Sequence, residues 1–254
     1  MTGALAGRVA LVTGAGRNIG RAAALGLAAA GAAVIVADLR EELAGEVARE
    51  IESAGGHALA LRVDIGDLAS IEAMVAESVA RFGRIDALVN NAAKFTELTY
   101  KPFDQIPQEE WDAVLRVNVT GTFQVVRAVV PHMRKHRWGR IVNVSSGTYR
   151  MGRPLFLHYV SSKASIMGMS RSLARELGPD GITVNTVLPG VVFTDIQKDR
   201  LPEEYQKMIL GAQCIPEPLP PDALAGPIVF LCSEASRFVT GQELAVDGGL
   251  THGG

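Results

Sequence analysis

Val9-Ala10-Leu11-Val12-Thr13-Gly14-Ala15-Gly16-Arg17-Asn18-Ile19-Gly20 is the stretch from which the fold can be read. Four apolar residues lead into a turn carrying Gly14, Gly16 and Gly20, and an Ala-rich amphipathic run follows over residues 18–30. A strand that feeds a Gly-rich turn and then a helix opens a dinucleotide-binding βαβ unit. Glycines let backbone N–H groups approach a pyrophosphate, and the helix N-terminus adds a favourable dipole. The spacing is not G-x-G-x-x-G, because residue 19 is Ile, and ordinary βα turns also use glycine. The turn therefore makes Gly14, Arg17, Asn18, Ile19 and Gly20 candidates for cofactor contact without deciding the matter alone.

Outward from this unit the same alternation repeats. Short apolar runs at 33–37, 58–63, 87–89, 140–144, 183–187 and 243–246 read as strands. Longer amphipathic stretches at 41–53, 68–82, 109–135, 159–177 and near 222–231 read as helices. Continuous apolar strands separated by helices imply a parallel sheet covered on both faces. Right-handed crossovers then predict an α/β chain with a doubly wound, Rossmann-type sheet of about seven strands. No linker or internal repeat interrupts residues 1–254, so a single domain is expected. The least regular stretch, 195–221, is rich in Pro and charge and follows the sixth strand. It is the predicted substrate lid.

Composition narrows the function. The chain has 254 residues, 48% of them hydrophobic, enough for one well-buried core. A net charge of −2 gives no footprint for a nucleic-acid partner. Cys214 and Cys232 form no disulfide framework or metal spacing, and the five histidines are scattered, so no metal is expected. The uncharged run 22–37 is too short and too rich in Ala and Gly for a membrane span, and Gly31 divides it. Residues 1–7 lack the pattern of a secretory signal, and the reading places the protein in the cytoplasm.

Asp38 closes the second strand, 24 residues after Gly14. A carboxylate there accepts hydrogen bonds from ribose hydroxyls and repels a 2′-phosphate, which favours NAD over NADP. Arg17 and Arg40 nearby weaken that argument. Tyr159 and Lys163 stand at i and i+4 on one helix face, about 6 Å apart along the axis. A phenol titrates near ~10, too high for a base at neutral pH. Bringing it to neutrality takes about 4 kcal/mol of differential stabilisation, and the Lys163 ammonium together with a positively charged nicotinamide ring could supply it. By itself a Y-x-x-x-K pair is common by chance.

Other residues occur in register with these. They are Asp64, Asn90-Asn91-Ala92-Ala93, Asn118, Ser145-Ser146, Pro189-Gly190-x-x-x-Thr194, and Gly241-Gln242 to Asp247-Gly248-Gly249. In this set, and over essentially the whole chain, the sequence resembles the short-chain dehydrogenase/reductase family. The resemblance implies hydride transfer between a nicotinamide cofactor and a CH–OH carbon, with Asn118, Ser146, Tyr159 and Lys163 as the catalytic tetrad. It further implies that Asp64 and Ile65 meet the adenine, that Asn90, Asn91 and Ala92 line the cofactor, and that Pro189, Gly190 and Thr194 meet the nicotinamide end. Ser146 would hydrogen-bond the substrate oxygen. Lys163 would hold the nicotinamide ribose, and Asn118 would place a water linking Lys163 to solvent. Ser145 reads as structural. Two positions depart from the family pattern. Asn18 replaces a usual glycine, and Asn tolerates positive φ. Ala93 replaces another and adds a methyl near the cofactor.

Phe95, Thr148, Tyr149, Leu155, Phe156, His158, Val191 and Phe193 are candidate pocket walls, mostly apolar and with few cations. Around Tyr149 and His158 the sequence is locally similar to bacterial NAD-dependent secondary-alcohol dehydrogenases. That points to a small-molecule secondary alcohol or ketone. Small residues along 161–170 and the family's habit imply a homotetramer. The alternatives are an NADPH-linked 3-oxoacyl-carrier-protein reductase, which Asp38 disfavours, and a non-catalytic dinucleotide sensor, which the intact tetrad disfavours. A methyltransferase would share the turn without needing Tyr159 and Lys163.

Overall fold

A computed structural model describes residues 3–194 and 202–252. Its centre is a seven-stranded, wholly parallel sheet of order β3-β2-β1-β4-β5-β6-β7. The strands are β1 (Val9–Thr13), β2 (Ala33–Asp38), β3 (His57–Arg62), β4 (Ala87–Asn90), β5 (Gly139–Val144), β6 (Ile182–Pro189) and β7 (Glu243–Val246). Every residue of β1, β4, β5 and β6 is buried. That explains why these strands read as unbroken apolar runs rather than as alternations.

The period of two survives in which layer each side chain joins. Ala10 and Val12 of β1 face a layer made by α1 (Asn18–Ala29), α2 (Glu41–Ser53) and the helix Ala225–Cys232. Leu27, Val47, Ile51 and Ile228 fill that layer. Val9 and Leu11 face the opposite layer, made by α3 (Leu68–Phe82), the helix Thr122–His136 and the helix Leu157–Leu177. Ile71, Met74, Val129 and Met133 fill it. Each such side chain contributes about 1.5–3 kcal/mol on burial, so one sheet with two apolar layers accounts for the fold.

The order reverses between β1 and β4. The chain winds outward through β2 and β3 on one side and through β5, β6 and β7 on the other. At such a switch point the loops leaving the carboxyl ends diverge and leave a crevice. The Gly-rich turn after β1 and the loop after β4 are its two lips.

Some local readings shift. The run 109–135 is helical but not uniform: α4 (Gln108–Leu115) passes through one π-helical stretch, Arg116–Gly121, into α5 (Thr122–His136). By length and composition this continuous helix could cross a membrane, but 44% of its apolar window is buried and it packs against the sheet as a core helix. The run 22–37 divides into α1 and β2 with Gly31 between them, as its composition predicts. A short α6 (Thr148–Met151) precedes α7 (Leu157–Leu177). Of the predicted lid, 195–201 lies outside the described residues. Beyond it stands α8 (Glu203–Ala212), where an irregular stretch was expected. Pro202 at its N-cap and Glu203 and Glu204 in its first turn suit a helix start, and Ile209 is buried beneath it. The last helix, α9 (Ala225–Cys232), is entered through a 3₁₀ turn at Pro221–Leu224.

Candidate active site

The turn after β1 is built around close backbone approach. Gly14 has φ +63°, and a Cβ there would lie 2.8 Å from the Ala92 Cα. Asn18 adopts φ +49°, the left-handed conformation that Asn tolerates better than most residues, in line with the expectation that the turn accepts it. Asn91 ties the two lips together. Its Nδ2 donates to the Thr13 carbonyl at 3.2 Å and the Gly14 carbonyl at 2.9 Å, and Thr13 Oγ1 accepts from the Asn91 and Ala92 amides. Gly20, expected in contact with the cofactor, does not line the cleft. It is where helix meets turn: a Cβ there would sit 2.0 Å from the Gly14 carbonyl oxygen. Gly20→Ala is therefore expected to destabilise the fold by about 1–3 kcal/mol through overpacking, against the ~1 kcal/mol gain alanine brings to an ordinary helix position. A thermal melt checks the sign; an unchanged or raised Tm would show that the turn yields freely.

The crevice above these lips has a volume of about 730 Å³. At one end Asp38 closes β2, nearly buried, its Oδ2 accepting from the Gly16 amide at 2.9 Å and its Oδ1 from the Arg40 amide at 3.0 Å. Arg17 and Arg40 line the same end, and burial followed by the charge of Arg40 lowers the pKa of Arg17. Asp64 and Ile65 lie after β3, with Asp64 Oδ1 accepting from the Gly66 amide at 2.8 Å. Ala92 and Ala93 line the middle, and Pro189, Gly190 and Thr194 the far end. Asn90 does not reach the cleft. It is buried, with Nδ2 donating to Asn143 Oδ1 at 2.9 Å.

The reactive side chains gather at the carboxyl end of β5. Ser145 and Ser146 follow that strand, and Tyr159 and Lys163 rise from α7 beside it. The Ser145 hydroxyl donates to the Lys163 carbonyl at 2.7 Å and locks helix to strand, the structural part expected of it. Ser146 Oγ accepts from the Thr148 amide and hydroxyl at 3.3 and 3.0 Å. Lys163 Nζ donates to the Val144 carbonyl at 2.8 Å and lies 5.7 Å from the centroid of the Tyr159 ring. Burial raises the Tyr159 phenol well above its usual range, a hydrogen bond from Ser146 opposes that rise, and the charge of Tyr100 adds slightly to it. Burial also lowers Lys163 to about 8. Desolvation governs both groups in the protein alone; the downward pull expected on the phenol comes from Lys163 together with a positively charged nicotinamide ring, and so belongs to the cofactor-bound protein. Taking a charge into a dry site costs more than one neighbour at this distance returns.

Asn118 stands in the π-helical stretch but behind the cleft wall. Its Oδ1 accepts from the Lys94 amide at 2.7 Å, and its Nδ2 donates to Ser162 Oγ at 3.0 Å. It thereby joins the loop after β4 to α7. The wall beside Tyr159 is aromatic: Phe95 and Phe156 lie with ring centroids 5.0 and 4.9 Å from the tyrosine ring.

The sequence profile of a family described as enoyl-(acyl carrier protein) reductase matches residues 14–251. The chain is 40% identical over 242 residues to a (2S)-[(R)-hydroxy(phenyl)methyl]succinyl-CoA dehydrogenase subunit of Thauera aromatica, covering 95% of this chain and 96% of the relative. It is 38% identical to a 3-oxoacyl-[acyl-carrier-protein] reductase of Thermotoga maritima, covering 97% and 98%. It is 39% identical to an L-rhamnose 1-dehydrogenase (NAD(P)(+)) of Azotobacter vinelandii, covering 96% of each. The chain belongs to the short-chain dehydrogenase/reductase family. As a member it is an oxidoreductase working at a CH–OH or ketone carbon with a nicotinamide dinucleotide.

Against that family frame, the predicted substrate wall is half right. Phe95, Thr148, Phe156 and Val191 line the cleft. Tyr149 does not; its hydroxyl donates to Glu243 on β7, away from the crevice. His158 is fully buried with Nε2 2.8 Å from Glu110 Oε1. Leu155 is half exposed outside the cleft, and Phe193 lies outside it too, its amide bonded to the Leu219 carbonyl. On a helix, neighbours at i and i+1 point about 100° apart, so Tyr159 at the cleft sends His158 to the core. Sequence reading missed Tyr100, Lys94 and Arg153, all of which line the cleft. Their one signal is position, in the loops after β4 and β5 that must form the crevice. The expected scarcity of cations at the mouth is accordingly corrected.

Proposed function

We propose that the protein is an NAD(H)-dependent dehydrogenase/reductase for a compact, largely apolar secondary alcohol or its ketone, with Tyr159 as general acid and base. The observation that carries this is the convergence of Ser146, Tyr159 and Lys163 against the Phe95–Phe156 wall, in one cleft with Asp38 at its other end. The residues present suit a dinucleotide. A backbone cradle at Gly14 leaves no room for a side chain, a carboxylate closes β2 where an adenosine ribose would lie, and polar groups meet the far end. Gly14, Arg17, Asn18 and Ile19 would hold the phosphates, Asp38 the ribose, Asp64 and Ile65 the adenine, and Asn91, Ala92, Pro189, Gly190 and Thr194 the nicotinamide half.

The bound cofactor supplies hydride acceptance and donation. The protein supplies the rest. Ser146 donates a hydrogen bond to the substrate oxygen and stabilises charge developing there. In oxidation Tyr159 Oη takes the hydroxyl proton as the C–H bond breaks; in reduction it returns it. Lys163 holds the ribose and favours the phenolate that oxidation needs. Asn118 acts from behind by fixing the Lys94 loop against α7, and it keeps the relay of protons from Lys163 to solvent in line. The open face of α7, where Ala164, Ser165 and Gly168 are exposed, supports a homotetramer.

Asp38 supports NAD(H) over NADP(H), with Arg17 and Arg40 lining the same end of the cleft. Titrating the intrinsic fluorescence with NADH and NADPH is expected to show NADH binding tighter by about tenfold or more, a difference of ~1.4 kcal/mol. Asp38→Ser is expected to narrow the gap by removing the carboxylate that opposes a 2′-phosphate. Tighter binding of NADPH by the unmodified protein would overturn the assignment. A 3-oxoacyl-carrier-protein reductase is the second reading, favoured by the Thermotoga relative and by Lys94 and Arg153 at the mouth. Comparing kcat/KM for 1-phenylethanol, a polyol and an acyl thioester separates the two. A thioester or polyol preferred by more than about tenfold would rule out the apolar-alcohol reading.

A further inference from the structure

Arg153 stands on the substrate side of the cleft, in the loop between α6 and α7. The ring of Phe156 lies 4.9 Å from that of Tyr159 and 4.8 Å from that of Tyr100, and the Arg153 guanidinium carbon lies 4.7 Å from the Tyr100 centroid. Two aromatic rings thus lead from the reactive phenol to the guanidinium. A second tyrosine, Tyr205 of α8, lies against it at 4.5 Å, and its hydroxyl is hydrogen-bonded to Arg153 Nη1.

The charge of Arg153 is handled unlike that of its neighbours. Arg150, one turn earlier, is paired with Glu243 at 2.9 Å; Lys94 is paired with Glu97, and Lys101 with Glu110. Arg17, Arg40 and Arg116 line the dinucleotide side, where Asp38 and Asp64 stand. Among the described residues no carboxylate pairs with Arg153; phenol rings and one phenol hydroxyl meet it instead. Aromatic faces hold a guanidinium in place without neutralising it, and they leave its in-plane N–H donors for another acceptor. The backbone beside it is strained: Leu155 adopts φ +62°, a conformation a γ-branched residue rarely takes. Leu155 itself is half exposed, while Arg153 lines the cleft.

Building on the alcohol dehydrogenase reading above, we infer that Arg153 recognises a carboxylate on the substrate, carried about one aromatic ring away from the reacting carbon. A planar fork of N–H donors matches a carboxylate through two parallel hydrogen bonds. The Phe95, Phe156 and Tyr100 surface between it and Tyr159 takes the apolar spacer.

The test uses a matched pair, 4-(1-hydroxyethyl)benzoate and its neutral amide, with NAD on the intact enzyme. The expected kcat/KM ratio favours the benzoate by about tenfold or more. In Arg153→Gln the ratio is expected to fall to about one, mainly through KM for the benzoate, and Arg153→Lys to retain part of it, because a point charge survives but the fork does not. If Arg153 served only to clasp α8, the substitution would slow both substrates together and leave the ratio unchanged; that result overturns the inference. So does an unmodified enzyme that oxidises both equally, and this arm needs no variant to fold. In either case the alcohol dehydrogenase reading stands. An enzyme that oxidises neither, nor 1-phenylethanol, but turns over a thioester would overturn that reading and this inference with it.

Discussion

Tyr159→Phe is expected to lower kcat for the favoured alcohol by about 10²–10⁴-fold, the usual worth of a positioned acid or base. The ring would remain packed between Phe95 and Phe156, and only the hydroxyl would go, with its hydrogen bond to Ser146. Losing one such bond costs about 0.5–1.5 kcal/mol of stability, so the variant should fold and bind NADH within about twofold of the unmodified protein, a difference of less than ~0.5 kcal/mol. Pre-steady-state and steady-state rates beside a fluorescence titration check both halves. Substantial turnover at neutral pH would show that another group carries the proton. Loss of NADH binding alongside turnover would show that the phenol acts chiefly in holding the cofactor.

Lys163→Met is the second large effect and differs in kind. Lys163 is assigned both to the cofactor ribose and to the phenolate, so the variant is expected to lose turnover by about 10²-fold or more and NADH affinity by about tenfold. The direction of its shift sets the pH dependence. Burial lowers Lys163 from 10.5 to about 8, so the free protein carries the ammonium below about pH 8 and loses it above. NADH affinity should therefore fall as pH rises through about 8, and the methionine variant should lack that fall. Stability moves the other way. Between about pH 8 and 10.5 the unfolded chain still binds the proton that the folded chain has released, so this group makes the fold more stable as pH rises through that window. Below it, the burial penalty is present in full. Urea midpoints at pH 7 and pH 10 should rise less, or fall more, in Lys163→Met than in the unmodified protein. A parallel shift in the two would mean that Lys163 titrates near its ordinary value.

Both predictions rest on residues found by motif, and it is instructive which neighbours the motifs did not reveal. Tyr149 and His158 flank the reactive segment in sequence and were expected in the pocket wall. One reaches Glu243 on β7 and the other Glu110 on α4, partners 94 and 48 residues away. Arg153, between them, lines the cleft and is held there by Tyr100 and Tyr205. Nothing local to that segment distinguishes the three.

What the chain states locally is what depends on local physics. Unbroken apolar strands separated by amphipathic helices specify a parallel sheet covered on both faces, because such strands must bury both sides and the crossover helices supply the cover. The glycines of the first turn, Asn18 with its tolerance of positive φ, Asp38 at a strand end and Tyr159 four residues from Lys163 are each legible because the backbone geometry that uses them spans only a few residues. The tertiary structure alone decides the rest. Gly20 lies off the cleft with the Gly14 carbonyl against it, and Asn118 is met by Lys94 and Ser162 from two other elements. In the protein alone burial, a property of everything packed around Tyr159, pushes the phenol up. The direction of a side chain out of a loop, and the dielectric it meets, are set by residues distant in sequence, and no spacing along the chain records them.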